Sequence, residues 1–385
     1  MSRTIYLDNA ASTPTDPHVI RAVSAALRVH GNPSAFNAAG RAAAALLRDA
    51  RHTVASFLHA HPTEIVFCAS GSEANTLALL GAVGDPKGSH VVASAIEHRS
   101  VLECVARLKK RGAGVTIVSV DGDGVVDAEA VVAAITPQTR VVSVMYANNE
   151  VGSLQPVVRI GAALTRWRRE HRSRYPLFHV DACQAAGYED MNVQRLGADL
   201  LTFNGAKVHG PKGVGVLFVR RGVVLESQVL GGSQEGGRRA GTEDVAGIVG
   251  LAVAVQRLHA IVKPRVAALR DRLIAGILAA VPDARVNGPL GDRRLANNVN
   301  ISILGAQSER LLLELDRCGI SAGAGSACTA HSVEPSHVLR AMKIPKRFLG
   351  GALRFSLSKY TTAREVQEVV RVLPSVVARA RRAQG

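Results

Sequence analysis

The sequence predicts an α/β fold: a large domain on a mostly parallel central sheet flanked by helices, plus a smaller α/β C-terminal domain joined by the N-terminal segment. Three observations predict it. Short β-branched runs alternate with longer segments of helical apolar spacing through the first two thirds of the chain. Past that region the pattern changes to shorter strands and helices. The length of 385 residues also exceeds what one hydrophobic core usually organises. The expected division is 16–258 for the large domain and 1–15 with 259–385 for the small one.

The elements follow in order. Ile5-Tyr6-Leu7-Asp8 reads as a strand, and apolar positions recur at helical spacing over 18–29 and 39–58. A strand at 64–67 precedes a helix at 73–83, and a strand at 90–93 precedes a helix at 99–110. Strands at 115–119 and 140–145 lead to a helix at 156–170, then to strands at 177–180, 199–203 and 214–219. Residues 243–281 read as two helices broken near Lys263-Pro264, since proline interrupts a helix interior. A strand at 296–302, a helix at 308–317, a strand at 352–357 and a helix at 362–381 complete the chain. In parallel sheets of this kind ligands sit beyond the carboxyl ends of the strands. Asn149, Asp181 and Lys207 each fall just after a strand run.

Composition narrows the function classes. Hydrophobic residues make up 47% and charged residues 20%, which suits a packed soluble chain. No apolar run reaches the roughly 18–20 residues of a membrane span, and the N-terminus lacks the basic and apolar regions of a signal peptide. Five scattered cysteines argue against a disulfide framework or a CxxC metal site and fit a reducing, cytoplasmic setting. The net charge of +16 can attract nucleic acid or acidic proteins. Aromatics are only 4%, too few for a stacking platform, so nucleic acid is possible but not favoured.

Asn204-Gly205-Ala206-Lys207-Val208-His209-Gly210-Pro211-Lys212-Gly213 places a lysine between a strand and a Gly/Pro-rich turn. A lysine in a partly buried strand-end site can form a Schiff base with an aldehyde cofactor. Asp181 ends an earlier strand, and that pairing suits pyridoxal phosphate, whose pyridine nitrogen needs a carboxylate. Ala69-Ser70-Gly71-Ser72-Glu73-Ala74-Asn75 follows a strand and opens a helix, where amides and the Ser72 hydroxyl can take a phosphate or simply cap the helix. His98 follows a strand and reads either as a helix cap or as a ring on the cofactor face, available for proton transfer. Asn149 and Gln184 can contact the cofactor's ring oxygen or stabilise turns. Cys328 follows the small residues of Ser321-Ala322-Gly323-Ala324-Gly325-Ser326-Ala327, a segment that builds no core and suits a nucleophilic loop cysteine. Arg354 lies in the apolar strand Ala352-Leu353-Arg354-Phe355, so it needs a partner: a substrate carboxylate or a structural salt bridge.

Taken together these residues resemble a cysteine desulfurase of the NifS/IscS type, within class V aminotransferases and the fold-type I pyridoxal phosphate enzymes. The likeness runs almost end to end, from Tyr6-Leu7-Asp8-Asn9-Ala10-Ala11 through Glu97-His98, Asn148-Asn149-Glu150 and Val180-Asp181-Ala182-Cys183-Gln184 to Lys207. It continues through Gly236-Gly237-Arg238-Arg239-Ala240-Gly241-Thr242-Glu243, Gly325-Ser326-Ala327-Cys328 and Arg354-Phe355-Ser356. The resemblance implies that Lys207 carries pyridoxal 5'-phosphate, Asp181 pairs with its ring nitrogen and His98 stacks on the ring. It implies phosphate contacts from Gly71, Ser72 and Asn204, ring-oxygen contacts from Asn149 and Gln184, and a substrate site of Asn9, Ala11, Asn149 and Arg354. Thr242 would reach the cofactor phosphate of a neighbouring subunit, which implies a homodimer with shared sites. Cys328 would take sulfur from L-cysteine as a persulfide and pass it to an acceptor protein, an Fe–S scaffold or a thiolation enzyme. The alternative within the same class is a selenocysteine lyase or another aminotransferase-like enzyme. Ala206 stands where the family often has histidine, and Asn204 where it often has serine; neither change removes a group that the chemistry requires.

Overall fold

Seven strands in the order β2-β8-β7-β6-β5-β3-β4 make the central sheet of the computed structural model, which describes residues 4–258, 262–325 and 335–382. They are β2 Ile65–Cys68, β3 His90–Ser94, β4 Gly114–Val118, β5 Thr139–Ser143, β6 Leu177–Asp181, β7 Leu200–Asn204 and β8 Gly215–Val219. Only β8 runs antiparallel, between β2 and β7. The period-2 alternation of a strand sends side chains to opposite faces. Ile65 and Phe67 join a core with the helices Ala38–Leu58, Val157–Glu170 and Val245–Gln256. Val66 and Cys68 join another with the helices Gly71–Val83 and Arg99–Lys110. Both faces are therefore covered, which is why the strands read as continuous apolar runs rather than alternating ones.

A further apolar cluster is built from the other end of the chain. The antiparallel sheet β12-β10-β9 (Ala352–Ser356, Asn298–Ile303, Ala284–Val286) packs on the helices Val262–Ala280, Ser308–Arg317 and Ala363–Arg382. Ile5 and Leu7 belong to this cluster, and β1 (Ile5–Tyr6) pairs in parallel with β11 (Ile320–Ser321). The chain then crosses to the central sheet, where Thr13 donates its backbone N–H (2.8 Å) and hydroxyl (3.0 Å) to the carbonyl of Ala206.

The helix break differs from expectation. The first helix ends at Gln256, and Pro264 lies in the first turn of the next, Val262–Ala280. A proline there forfeits no intrahelical hydrogen bond, so it marks a start rather than a break. The short helices Ala128–Ala133, Val193–Leu196, His337–Ala341 and Lys346–Leu349 and the three-residue β9 are too brief to display a period in the sequence. Among the described residues no helix is long and apolar enough to cross a membrane.

One buried histidine gives the sheet an acid-sensitive seam. His179 of β6 is fully enclosed between Ser143 of β5 (2.8 Å) and Thr202 of β7 (3.2 Å). Burial pushes its pKa down from 6.5 to about 4, against the opposing charge of Asp181. The unfolded chain therefore takes up this proton first as pH falls. The stability that the neutral ring contributes is complete above pH 6.5 and is lost as pH drops through about 4. The loss amounts to roughly 3 kcal/mol. Buried Glu97, raised by burial to about 8, acts in the opposite direction: its contribution is complete below pH 4.5 and fades through about 8. The difference between wild type and His179→Gln isolates the histidine. Urea unfolding should show a shallower loss of stability in the variant as pH falls from 6.5 to about 4; parallel curves would contradict this assignment.

Candidate active site

The carboxyl ends of β5, β6 and β7 and the helix after β2 enclose a cavity of about 310 Å³. Its walls include Gly71, Ser72, His98, Asn149, Asp181, Gln184, Asn204, Lys207 and Arg354. Asp181 and Asn204 end β6 and β7, and Asn149, Gln184 and Lys207 follow β5, β6 and β7, so the sheet topology brings them to one edge.

Asp181 is the last residue of β6 and is 4% exposed. One carboxylate oxygen accepts the backbone N–H of Cys183 at 3.0 Å, and the other accepts the Asn75 amide at 2.8 Å. Its position is thus fixed from both sides. Lys207 follows β7 in the connection to antiparallel β8, and its Nζ donates to the carbonyl of Ala11 at 2.5 Å. The turn's shape comes from its neighbours. A Cβ on Gly205 would lie 2.5 Å from the Pro211 carbonyl oxygen, so only glycine fits.

The helix Gly71–Val83 points its N-terminus at the cavity, with Ser70 as cap accepting the Glu73 N–H at 3.1 Å. The free N–H groups of a first turn favour an anion. A Cβ on Gly71 would sit 2.8 Å from Cys183 Sγ and 2.9 Å from Asn204 Nδ2, so that glycine lets β7 approach the helix start. The Asn204 amide nitrogen donates to Cys183 Sγ at 3.3 Å, while its Oδ1 is buried without a partner among the described residues. Glu73, the acid nearest this anion-favouring end, is paired with Arg239 at 2.9 Å.

His98 caps the helix Arg99–Lys110. Its Nδ1 lies 2.8 Å from Ser100 Oγ and accepts the Ser100 N–H at 3.2 Å. Burial lowers its pKa against the raising effect of Asp181, and the Lys207 charge lowers it further. Desolvation and the Asp181 charge raise the Cys183 thiol well above its ordinary value, so it is a protonated wall rather than a nucleophile.

Arg354, in the middle of β12, is 2% exposed. It donates to Asp8 Oδ1 at 2.8 Å and to the Asn149 carbonyl at 2.9 Å, and its Nε is buried with no hydrogen-bond partner among the described residues. The salt bridge and the guanidinium facing the cavity are both present. Gln184 donates to the Ala10 carbonyl at 3.0 Å, which ties it to the segment that also supplies Ala11. Asn9 turns elsewhere: its amide donates to the Ser356 carbonyl at 2.7 Å, and Ala10 and Ala11 line the cavity instead. Thr242 is exposed in the loop before the helix Val245–Gln256, outside the cavity. Cys328 lies outside the described residues.

Sequence reasoning did not single out Asn75, Ser100, Asp8 or Cys183. Asn75 carried a signal, since it stands four residues after Gly71 and so shares its helix face. Asp8 and Cys183 were visible only as members of longer motifs. The arrangement joins an anion-favouring helix end, a lysine amine, a fixed carboxylate, a histidine and a buried guanidinium around one cavity. That set can hold a phosphorylated aldehyde beside a small carboxylate-bearing substrate.

Comparison with known proteins agrees in kind. The aminotransferase class-V family model matches residues 5–369. A cysteine desulfurase of Trichormus azollae is 42% identical over 383 residues, covering 98% of this chain and 94% of that protein. A solved NifS-like protein superposes with a TM-score of 0.89 at 32% identity, covering 98% of this chain and 100% of that one. SspA, solved in complex with cysteine, superposes with a TM-score of 0.81 at 32% identity, covering 93% of this chain and 100% of that one.

Proposed function

The chain belongs to the aminotransferase class-V family, among its cysteine desulfurases, and from that premise we propose that it uses pyridoxal 5'-phosphate to convert L-cysteine to L-alanine, with the sulfur left as a persulfide on Cys328. The observation that carries this reading is the meeting of Lys207, Asp181 and the helix start at Gly71 around one cavity. The residues present fit that cofactor. The N–H groups of the helix start and the Ser72 hydroxyl offer donors to a phosphate at one end, and the doubly held Asp181 offers a carboxylate to a ring nitrogen.

When bound, the cofactor supplies an electron-poor ring that accepts the electron pair released at the substrate Cα. The protein's residues do the rest. Gly71 and Ser72 would hold the phosphate, Asn204 would join them with its amide NH2 turned toward it, and Asn149 and Gln184 would contact the ring oxygen. Arg354 takes the substrate carboxylate, with Ala11 and Asn149 beside it; Asn9 supports that segment from Ser356. Lys207 Nζ would anchor the aldehyde carbon, and it is the group that moves the Cα proton. The Cβ–S bond of cysteine breaks with its electron pair left on carbon, which takes a proton to become the methyl group of alanine. The Cys328 thiolate forms the new S–S bond, so no outside oxidant or reductant enters. The persulfide then passes to an acceptor protein, an Fe–S scaffold or a thiolation enzyme.

Two related readings belong with this one. We place the enzyme in the cytoplasm as a homodimer, with Thr242 in its exposed loop reaching a neighbouring subunit's phosphate. We take 1–15 and 259–385 as one small domain, a division supported by the cluster that Ile5 and Leu7 share with the C-terminal helices.

The test is turnover of L-cysteine, selenocysteine and an amino-acid/keto-acid pair by the purified protein, with alanine, sulfide and selenide assayed under a reductant. Alanine and sulfide from L-cysteine are expected. Turnover confined to selenocysteine or to the keto-acid pair would replace the desulfurase reading with another class V activity.

A further inference from the structure

A chain of hydrogen bonds links the two sides of the cavity. The Asn75 amide is 1% exposed and donates both to Asp181 Oδ2 (2.8 Å) and to Ser100 Oγ (2.9 Å). Ser100 Oγ in turn lies 2.8 Å from His98 Nδ1. The donors in this chain can be assigned one at a time. An ionised carboxylate only accepts, so Asn75 must turn its NH2 group toward Asp181. That same NH2 group supplies the proton toward Ser100 Oγ, which therefore accepts from Asn75 and keeps its own hydroxyl proton for His98. The ring must then offer a lone pair at Nδ1.

A second constraint reaches the same result independently. His98 is the N-cap of the helix Arg99–Lys110, and its Nδ1 accepts the backbone N–H of Ser100 at 3.2 Å. A backbone amide can only donate, so a protonated Nδ1 would abolish the cap. The positive end of the helix also disfavours a charged ring.

We propose that the helix cap and the Asn75–Ser100 relay hold His98 as the Nε2–H tautomer, so that it presents a hydrogen-bond donor to the cavity and not a base. Asn75 and Ser100 act as positioning residues: one hydrogen-bond chain fixes the Asp181 carboxylate and the His98 ring together. Removal of the Cα proton then falls to Lys207 alone, and His98 serves to donate toward substrate atoms that gain negative charge. This extends the desulfurase reading and rests on it for the substrate, while the tautomer itself is a property of the protein. Burial acts in the same direction by disfavouring the imidazolium. The charged or titratable groups acting on the ring are Asp181, Lys207, Glu150 and His337.

The experiment is nitrogen NMR of the full-length protein labelled at its 13 histidines. The His98 signals are assigned by their loss in His98→Gln. Wild type should show an unprotonated Nδ1 and a protonated Nε2 through about pH 6 to 8. Ser100→Ala removes one donor to Nδ1 and should raise the ring's titration midpoint by about one pH unit. Ser100→Thr keeps the hydroxyl and should leave the midpoint where wild type has it. A protonated or averaged Nδ1 in wild type would overturn the proposal, as would a Ser100→Ala midpoint identical to that of wild type. Failure of the desulfurase reading would appear separately, as absent alanine with the tautomer intact.

Discussion

Lys207→Ala should cut alanine formation from L-cysteine by roughly 10²–10⁴-fold, the usual worth of a positioned proton-transfer group, while the fold persists. The expected loss is large because the proposed mechanism uses Nζ twice, as the anchor of the aldehyde and as the carrier of the Cα proton. The fold should tolerate the change because the turn is shaped by other groups. Gly205 packs against Pro211, the Gly205 N–H bonds to the Val214 carbonyl at 2.9 Å, and Thr13 holds the Ala206 carbonyl from the N-terminal segment. The substitution removes the hydrogen bond from Nζ to the Ala11 carbonyl, which is made by a half-buried side chain. Thermal unfolding should therefore shift little, and borohydride treatment should no longer fix cofactor to the chain. Alanine formation within tenfold of wild type would remove Lys207 from the mechanism.

Cys328→Ser should reduce alanine and sulfide formation to background yet leave the cofactor bound. The cofactor contacts that we assign are made by Gly71, Ser72, His98, Asn149, Asp181, Gln184 and Lys207, all among the described residues that line the cavity. Cofactor retention and sulfur removal should therefore separate in this variant. Cys318→Ser is the matched control: that thiol is exposed at the end of the helix Ser308–Arg317, beside Arg379 and outside the cavity. It should keep wild-type turnover. Sustained alanine formation by Cys328→Ser would mean that the sulfur leaves without this cysteine.

The central sheet was legible because its strands are buried on both faces, which leaves unbroken runs such as Ile65–Cys68 and Leu200–Asn204. The strand-end rule then placed Asn149, Asp181 and Lys207 near one another from the sequence alone. What escaped was pairing across long separations. The chemical need of Arg354 for a partner was evident, but Asp8 as that partner depends on the register that sets Asp8 beside Ser356. His98 showed the same limit in another form. The cap and the catalytic readings stood as alternatives in sequence, whereas in the structure the ring caps its helix through Nδ1 and also lines the cavity. Asn75 and Ser100 lie on different helices, so nothing local to either announces the chain of bonds that joins Asp181 to His98. The position of Pro264 was misread because a helix start and a helix break look alike around a single proline.

The most direct test of the account is peptide mass mapping of the wild-type protein after one addition of L-cysteine without reductant. The account predicts that the peptide carrying Cys328 gains the mass of one sulfur atom, that a thiol reductant removes it, and that the peptides of Cys68, Cys104, Cys183 and Cys318 do not gain it. Alanine released with no sulfur on Cys328, or with the sulfur on another cysteine, would contradict it.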